Sequence, residues 1–544
     1  MTMASSQQDT VAPAEDKRRL QGWALTAVLA SLMLANFLSG LDQVIVDTAM
    51  PHIIGDLQGF DRYTWVITAY LLCFTMMVPI AGKLSDQFGR KWLLMGAITL
   101  FLVSSALAGA SQTMNQLIAF RGMQGLSAGA IQTLVSTIVA DIFSPAERPR
   151  WQGLNIGVFT LASVIGPTTG GWITDHLGWR WVFYINVPLV PLALIALFLW
   201  MPAALSTRST GYRGWAALRR IDALGAVSMA GATACLLLGL TWGGQMFPWS
   251  SPQVVGILIA SGALFVVFFI NERFAAEPIL PLRLTRNQVF VAGALLSLTT
   301  NMALLAMVVY IPLFVQGVLG QSATSSGVVA TPLTLAVMLT AVPIGFLVGK
   351  VGRYQWAVVL GCVILLVGAL LMTTINPSIS PVIVVRNMVV IGVGIGMALP
   401  VLSIAVQNAV PRSQLGAGTG AMSYLRSLGS TLGVAVIGTV LNNTVASELP
   451  KHLPPAASQL PAALLNAATN QQVLVNATYR QQVGSHLPPG LLDQLVEATR
   501  QTLALGIEQA FWVAVGICAL TVLVAFFLKD VPLRKRDQEA AAFE

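Results

Sequence analysis

Runs of about twenty apolar residues, separated by short polar stretches, fill most of the chain. A membrane-crossing helix needs roughly 20 such residues. Fourteen runs qualify, at 23–50, 63–82, 92–111, 115–140, 152–174, 181–202, 222–243, 253–271, 288–316, 326–349, 355–375, 381–409, 416–442 and 507–528. The first follows Lys17, Arg18 and Arg19 and carries Asp42 and Asp47 near its end. It is too long and too polar for a cleaved leader, so it reads as a retained helix. The connection GKLSDQFGRK (82–91) is short enough to force its two helices antiparallel. Longer connections lie at 203–221 (basic), at 271–288 and at 443–505, the last an outer loop rich in Pro, Gln and Asn. Within it, 490–505 has a helical apolar period, which predicts a helix folded against the membrane surface.

Composition agrees with the pattern. Of 544 residues, 55% are hydrophobic and 10% charged, and the mean hydropathy is +0.74. A soluble protein carries about 25% charged residues; this chain reads as an all-α polytopic membrane protein. Cytoplasmic loops collect Lys and Arg. With the N-terminus inside, most of the 30 Lys and Arg residues fall on one side, which predicts an even helix count and both termini cytoplasmic. The WRWVFYINVP stretch (179–188) is expected in an interfacial aromatic belt. The net charge of +8 is scattered over short loops, which argues against nucleic acid as a partner. Cys73, Cys235, Cys362 and Cys518 lie inside spans without CxxC spacing and read as packing residues, with no metal site implied.

The chain repeats itself. PIAGKLSDQFGRKW (79–92) is similar to PIGFLVGKVGRYQW (343–356), and Arg121 and Gly129 align with Arg386 and Gly394. This predicts a cytoplasmic tail (1–21), an N-terminal six-helix half (22–202), a basic linker with inserted helices 7 and 8 (203–287), a C-terminal six-helix half (288–530) and a second tail (531–544). Paired halves with the substrate site between them are a common transporter build.

Charge is scarce inside the spans, so each instance counts. Arg121 lies about six residues into an apolar run (FRGMQGLSAGAIQTLV), where an ionised group needs a partner or water. Among the carboxylates, Asp42 and Asp47 sit clearly within a span, and all four histidines fall near the outer surface. At 1.5 Å per residue, Asp42 and Arg121 reach similar depths, about 13 and 9 Å from the outer side. The pair is expected to communicate, either as a proton-coupling device or as a static brace between helices. Asp47 either attracts cationic substrates at the outer mouth or is a hydrated interfacial residue; it is also the second candidate proton carrier. Glycines at 125, 129, 166, 170 and 171 allow close helix approach, and Gly166-Pro167 interrupts the hydrogen-bond ladder.

At these motifs the chain resembles the fourteen-helix drug:proton antiporters of the major facilitator superfamily. GKLSDQFGRK resembles the loop 2–3 signature, RGMQGLSAGA the helix 4 motif, ASVIGPTTGG the helix 5 antiporter motif with Ala162 in place of glycine, and LDQVIVDTAMP the helix 1 motif with Asp47 in place of asparagine. The resemblance implies a major facilitator fold of two six-helix halves plus a two-helix insert. It ties the helix 4 motif with Arg121 to proton coupling, for which the residues themselves offer Asp42 and Asp47 as carriers, and it assigns a cytoplasmic latch to Gly82, Asp86, Gly89, Arg90 and Lys91; an ordinary basic loop with a capping aspartate is the plainer reading. It makes Gly166, Pro167, Gly170 and Gly171 a hinge or seal, with tight packing the plainer alternative. Polar and adaptable side chains expected at a substrate cavity are Asn36, Gln124, Gln132, Asn301, Met302, Tyr310, Phe314 and Gln407. The implied protein is a monomeric exporter of the bacterial inner membrane, driven by the proton gradient without a cofactor, moving a small amphiphilic, cationic or neutral compound. A dedicated exporter of one lipid or secondary metabolite is the alternative. The absence of GxxxxGK[ST] and of a nucleophile–base pair in the spans argues against an ATP pump and an enzyme.

Overall fold

The computed structural model describes residues 22–57, 63–144, 147–201, 222–244, 247–275, 278–321, 323–377, 379–411, 414–470, 472–475, 477–488 and 490–532. The expected tails, apart from 531–532, and the basic linker 203–221 lie outside these residues.

Among the described residues, fourteen long helices carry the fold. They are α1 (Trp23–Leu57), α2 (Tyr63–Phe88), α3 (Arg90–Gly109), α4 (Met114–Ile142), α5 (Arg148–Leu177), α6 (Asn186–Trp200), α7 (Ala223–Trp242), α8 (Pro252–Phe274), α9 (Gln288–Val308), α10 (Ala323–Val351), α11 (Gln355–Met372), α12 (Pro381–Ala409), α13 (Leu415–His452) and α14 (Leu491–Phe526). Among the described residues, thirteen elements are long and apolar enough to span a bilayer, and α5, bent by 43° between Arg150–Gly166 and Thr168–Leu177, makes a fourteenth if taken as one span.

Lipid tails are as apolar as leucine, so helices in a bilayer associate through close packing of small residues. That packing makes the repeat visible. Gly125 and Gly129 of α4 lie against the backbone of Tyr70 and Phe74 of α2. In the second half Gly392 and Gly396 of α12 lie against Leu333 and Val337 of α10. The matching glycine is therefore Gly396, two positions beyond the sequence alignment. Four residues before Gly392, where Arg121 precedes Gly125, stands Met388, which is buried. Met388, rather than Arg386, occupies the structural place of Arg121.

Each half has its own core. Leu32, Phe101, Leu134 and Ile138 belong to the first, and Leu365, Ile391, Ile395 and Phe511 to the second. The α7–α8 hairpin stands at the side: α7 packs on α2 and Thr233 meets the Tyr424 hydroxyl at 2.8 Å, while Val266, Phe269 and Ile270 of α8 are exposed. The halves meet along α2 with α13 and α5 with α10. Gly82 lies against Gly416, Gly420 against Pro79, and Gly153 against Ala341. These contacts lie toward the bundle end that carries Arg90, Lys91, Arg148 and Arg150, here called the basic end.

Several boundaries differ from the hydropathy reading. The ninth span stops at Val308 because Pro312 has no N–H for the Val308 carbonyl; a π-helical segment, Phe314–Val318, follows. The sixth begins as a separate turn, Trp181–Tyr184, before α6. In the WRW stretch, Trp181 is exposed, but Trp179 is buried and donates to Asp56 at 2.8 Å. The largest correction concerns 443–505. There α13 continues to His452 and α14 begins at Leu491, so 490–505 is the first part of a spanning helix, not one lying along the membrane surface. Short helices between them, including Ala462–Ala468 and Ala477–Gly484, close over a small core of Ala457, Ala468, Val483, Leu491 and Leu495. This helical cap marks the opposite end of the bundle.

Candidate functional site

Asp42 and Arg121 meet inside the first half. Arg121 Nη1 donates to Asp42 Oδ2 at 2.6 Å, with both side chains almost wholly buried. The other carboxylate oxygen, Oδ1, accepts from Gln124 Nε2 at 2.9 Å and from Asn186 Nδ2 at 3.4 Å. Both amides also donate to Ser105 Oγ, at 2.6 and 3.0 Å. Arg121 Nη1 further donates to Gln124 Oε1 at 3.1 Å. The guanidinium carbon lies 4.1 Å from the centre of the Tyr70 ring, and the Tyr70 hydroxyl donates to the Ser39 carbonyl at 3.4 Å.

Local sequence explains the convergence. Arg121 and Gln124 are three apart on α4, hence on one face. Gly122 and Gly125 keep the face low enough for α2 to approach, and Tyr70 reaches in from there. The break at Ile185 starts α6 at Asn186 and sets its amide beside Asp42. The result is one carboxylate and one guanidinium, mutually neutralising and enclosed by five helices. Breaking one partner of such a pair leaves the other charge exposed to a low dielectric, a cost of about 3–5 kcal/mol. Protonating Asp42 has the same electrostatic effect, so a single proton can unsettle the whole cluster. The side chain of Asp47 lies outside the described residues.

A second cluster sits at the basic end. Gly89, at φ 85°, makes the turn into α3, a conformation that favours glycine. Gly352 (φ 75°) stands at the same place before α11. Asp86 Oδ1 accepts from Arg90 Nη2 at 3.0 Å and from the Gly416 N–H at 3.1 Å; Oδ2 accepts from the Ala417 N–H at 2.9 Å. The aspartate thus sits at the N-terminus of α13, where free N–H groups and the helix dipole favour an anion. Arg90 also pairs with Asp141 at the end of α4. Lys91 plays a different part. Its ammonium donates to the carbonyls of Phe198 (3.0 Å) and Met201 (2.6 Å), closing the end of α6 within the same half.

On α5, Gly166 faces Val44 of α1, Gly170 is buried, and Gly171 meets open space. The Pro167 side chain lies outside the described residues. The residues expected at a cavity scatter. Gln124 belongs to the Asp42 cluster. Asn36 is buried and ties α1 to α5 through the Asn155 carbonyl at 3.1 Å. Phe314 is fully buried in the second core, and Asn301 bonds back to Ser297 in its own helix at 3.0 Å. Gln407 is buried with both amide atoms unpartnered among the described residues. Gln132, Met302 and Tyr310 remain half-buried, and the Tyr310 hydroxyl donates to the Val434 carbonyl at 3.1 Å. Residues not anticipated at the Asp42 cluster are Ser105, Asn186 and Tyr70. Asn186 stood in a quoted motif, but an uncharged amide in an apolar run carries no signal of its partner.

The model of the Major Facilitator Superfamily matches residues 32–434. The chain is 33% identical to Multidrug transporter protein MdtP of Bacillus subtilis (strain 168), over 94% of this chain and 95% of that protein. It is 32% identical to Multidrug resistance protein 3 of the same organism, over 91% and 94%. Efflux pump FUS6 of Gibberella moniliformis is 28% identical over 96% and 90%. Among solved structures, the fold is similar to that of the human organic anion transporter MFSD10, with a TM-score of 0.59 at 15% identity, covering 93% of this chain and 100% of that one.

Proposed function

The chain belongs to the major facilitator superfamily, a multi-pass membrane transporter rather than an enzyme, and we propose that it is a proton-coupled antiporter exporting amphiphilic, cationic or neutral compounds. The observation that carries this reading is the buried Asp42–Arg121 pair, in which Asp42 of α1 takes donors from α4 and α6. Neutralising Asp42 frees Arg121 and loosens α1 from α4 and α6. A ligand shifts an equilibrium only through its different affinity for the two states. A proton at Asp42 and a substrate between the halves are two such ligands with opposite preference.

Placing the basic end in the cytoplasm follows the positive-inside rule. The Asp86 clasp and the Gly82–Gly416 contact then hold the cytoplasmic side shut, the state from which an exporter releases its load. The setting is a bacterial cytoplasmic membrane and the unit a monomer, with no cofactor. A second reading, export of one lipid or secondary metabolite, is favoured by the helical cap over the outer end, which has a core of its own.

The test is ethidium movement in proteoliposomes under an imposed pH gradient. Wild type is expected to transport and Asp42→Asn to lose gradient-driven movement. Transport retained by Asp42→Asn would remove Asp42 from proton carriage. Failure of folded wild type to move ethidium would favour the dedicated exporter.

A further inference from the structure

Arg121, Arg386 and Arg426 fall within the apolar runs that the sequence predicts to cross the membrane. Arg121 has Asp42. Arg386, near the start of α12, turns to the neighbouring Asn387 Oδ1, at 3.1 Å from Nε and 2.9 Å from Nη2. Arg426 is different. It lies eleven residues into α13, about 16 Å from the helix start at 1.5 Å per residue. Protein surrounds it, yet its side chain is half-buried rather than sealed. Among the described residues no carboxylate pairs with it and no acceptor takes its N–H groups.

Its position is the seam between the halves. The next residue, Ser427, shares a 2.8 Å hydrogen bond with Thr75 of α2. Tyr424 reaches Thr233 of the insert. Leu425 and Leu428 pack with the first core. Arg426 therefore stands just beyond the Gly82–Gly416 and Gly420–Pro79 seal, on the side toward the cap.

An ionised guanidinium at bilayer depth costs several kcal/mol unless a partner or water answers its charge. Among the described residues no anion pairs with Arg426, which leaves its N–H groups to water or to a ligand. A guanidinium offers five N–H donors in a planar fork, a shape that matches a carboxylate, sulfonate or phosphate in two parallel hydrogen bonds. We propose that Arg426 is an anion-binding element of the transport cavity, and that preferred substrates carry an oxyanion on their amphiphilic body. The proposal rests on the reading of this protein as an exporter with its cavity between the halves, and it narrows the substrate class. The oxyanion adds to the apolar body and does not replace it, so a zwitterionic amphiphile fits and a purely cationic one gains nothing from Arg426.

The test uses rhodamine B, whose carboxylate is free, and its ethyl ester, which shares the same rings. Equilibrium binding to the purified full chain in nanodiscs is followed by anisotropy for wild type, Arg426→Gln and Arg426→Lys, with thermal unfolding as a check on folding. Wild type is expected to prefer rhodamine B. Arg426→Gln weakens rhodamine B by about tenfold to a hundredfold, the loss of charge-assisted hydrogen bonds, without weakening the ester. Arg426→Lys keeps part of the preference. A wild type without preference for the free acid overturns the proposal, and so does an equal loss of both dyes in Arg426→Gln. Binding needs no gradient, so failure of proton coupling leaves this test intact. Conversely, gradient-driven ethidium export can stand while the dye pair shows no preference.

Discussion

The guanidinium carbon of Arg121 lies over Tyr70, 4.1 Å from the ring centre, while Nη1 donates to Asp42 at 2.6 Å. Tyr70 thus contacts the same guanidinium that Asp42 pairs with. A cation over an aromatic face is stabilised by up to about 2 kcal/mol when desolvated. Tyr70→Phe keeps the ring and is expected to keep gradient-driven transport. Tyr70→Leu frees the arginine and is expected to reduce transport several-fold and to shift its pH profile. The measurement is initial rate against pH in proteoliposomes. Identical profiles for the Leu and Phe variants would reduce Tyr70 to packing.

How far the sequence disclosed this site follows from the physics of each contributor. Asp42 and Arg121 were legible because a charge in an apolar run is rare and has few possible partners at its depth. Gln124 stood out as polar, but its destination was misread, because an amide suits a cavity wall as well as a buried network. Tyr70 gave no sign, since aromatic residues are common along spans and only the Gly125 contact reveals which face it shows. The helix count was legible from run length. The internal register was not, because Arg386 looks like a copy of Arg121 while Met388 occupies its place.

Asp86 joins the halves through the two N–H groups opening α13. Hydrogen bonds to a charged group contribute about 1.5–3 kcal/mol. Asp86→Asn is therefore expected to shift the population away from the closed basic end by about tenfold or more. Electron–electron resonance between spin labels at Lys83 and Gln414 would show a longer, broader distance distribution. An unchanged distribution would confine Asp86 to the turn.

Close backbone contact makes a sharp contrast among glycines. A Cβ on Gly125 would collide with the Tyr70 carbonyl, whereas one on Gly96 meets open space. Gly125→Ala is expected to lower stability by about 1–3 kcal/mol through overpacking. Gly96→Ala is expected to be neutral or to stabilise by up to about 1 kcal/mol through helix propensity. Thermal unfolding in detergent separates them, and equal Tm values would contradict the packing described.

Tyr354 anchors the end of the last helix. Its hydroxyl donates to the Lys529 carbonyl at 2.9 Å and accepts from the Val531 N–H at 3.3 Å. Burial, with Asp530 nearby, pushes the phenol up to about 12. A phenol whose folded pKa is raised contributes stability below its ordinary value near 10, and loses it as pH rises from there through 12. Wild type is expected to lose stability more steeply than Tyr354→Phe over that window. Parallel Tm curves for the two proteins would remove the phenol from the anchor.

The cap has a mechanical consequence. It hangs from α13 and α14, both belonging to the second half, and its small core includes residues of α14 itself. A 38-residue helix such as α13 is about 57 Å long at 1.5 Å per residue. When one half tilts against the other, the cap behaves as the tip of a lever, turning a rotation of a few degrees at the seam into a sweep across the mouth. A reporter fixed there reads the tilt of that half from outside the transport path.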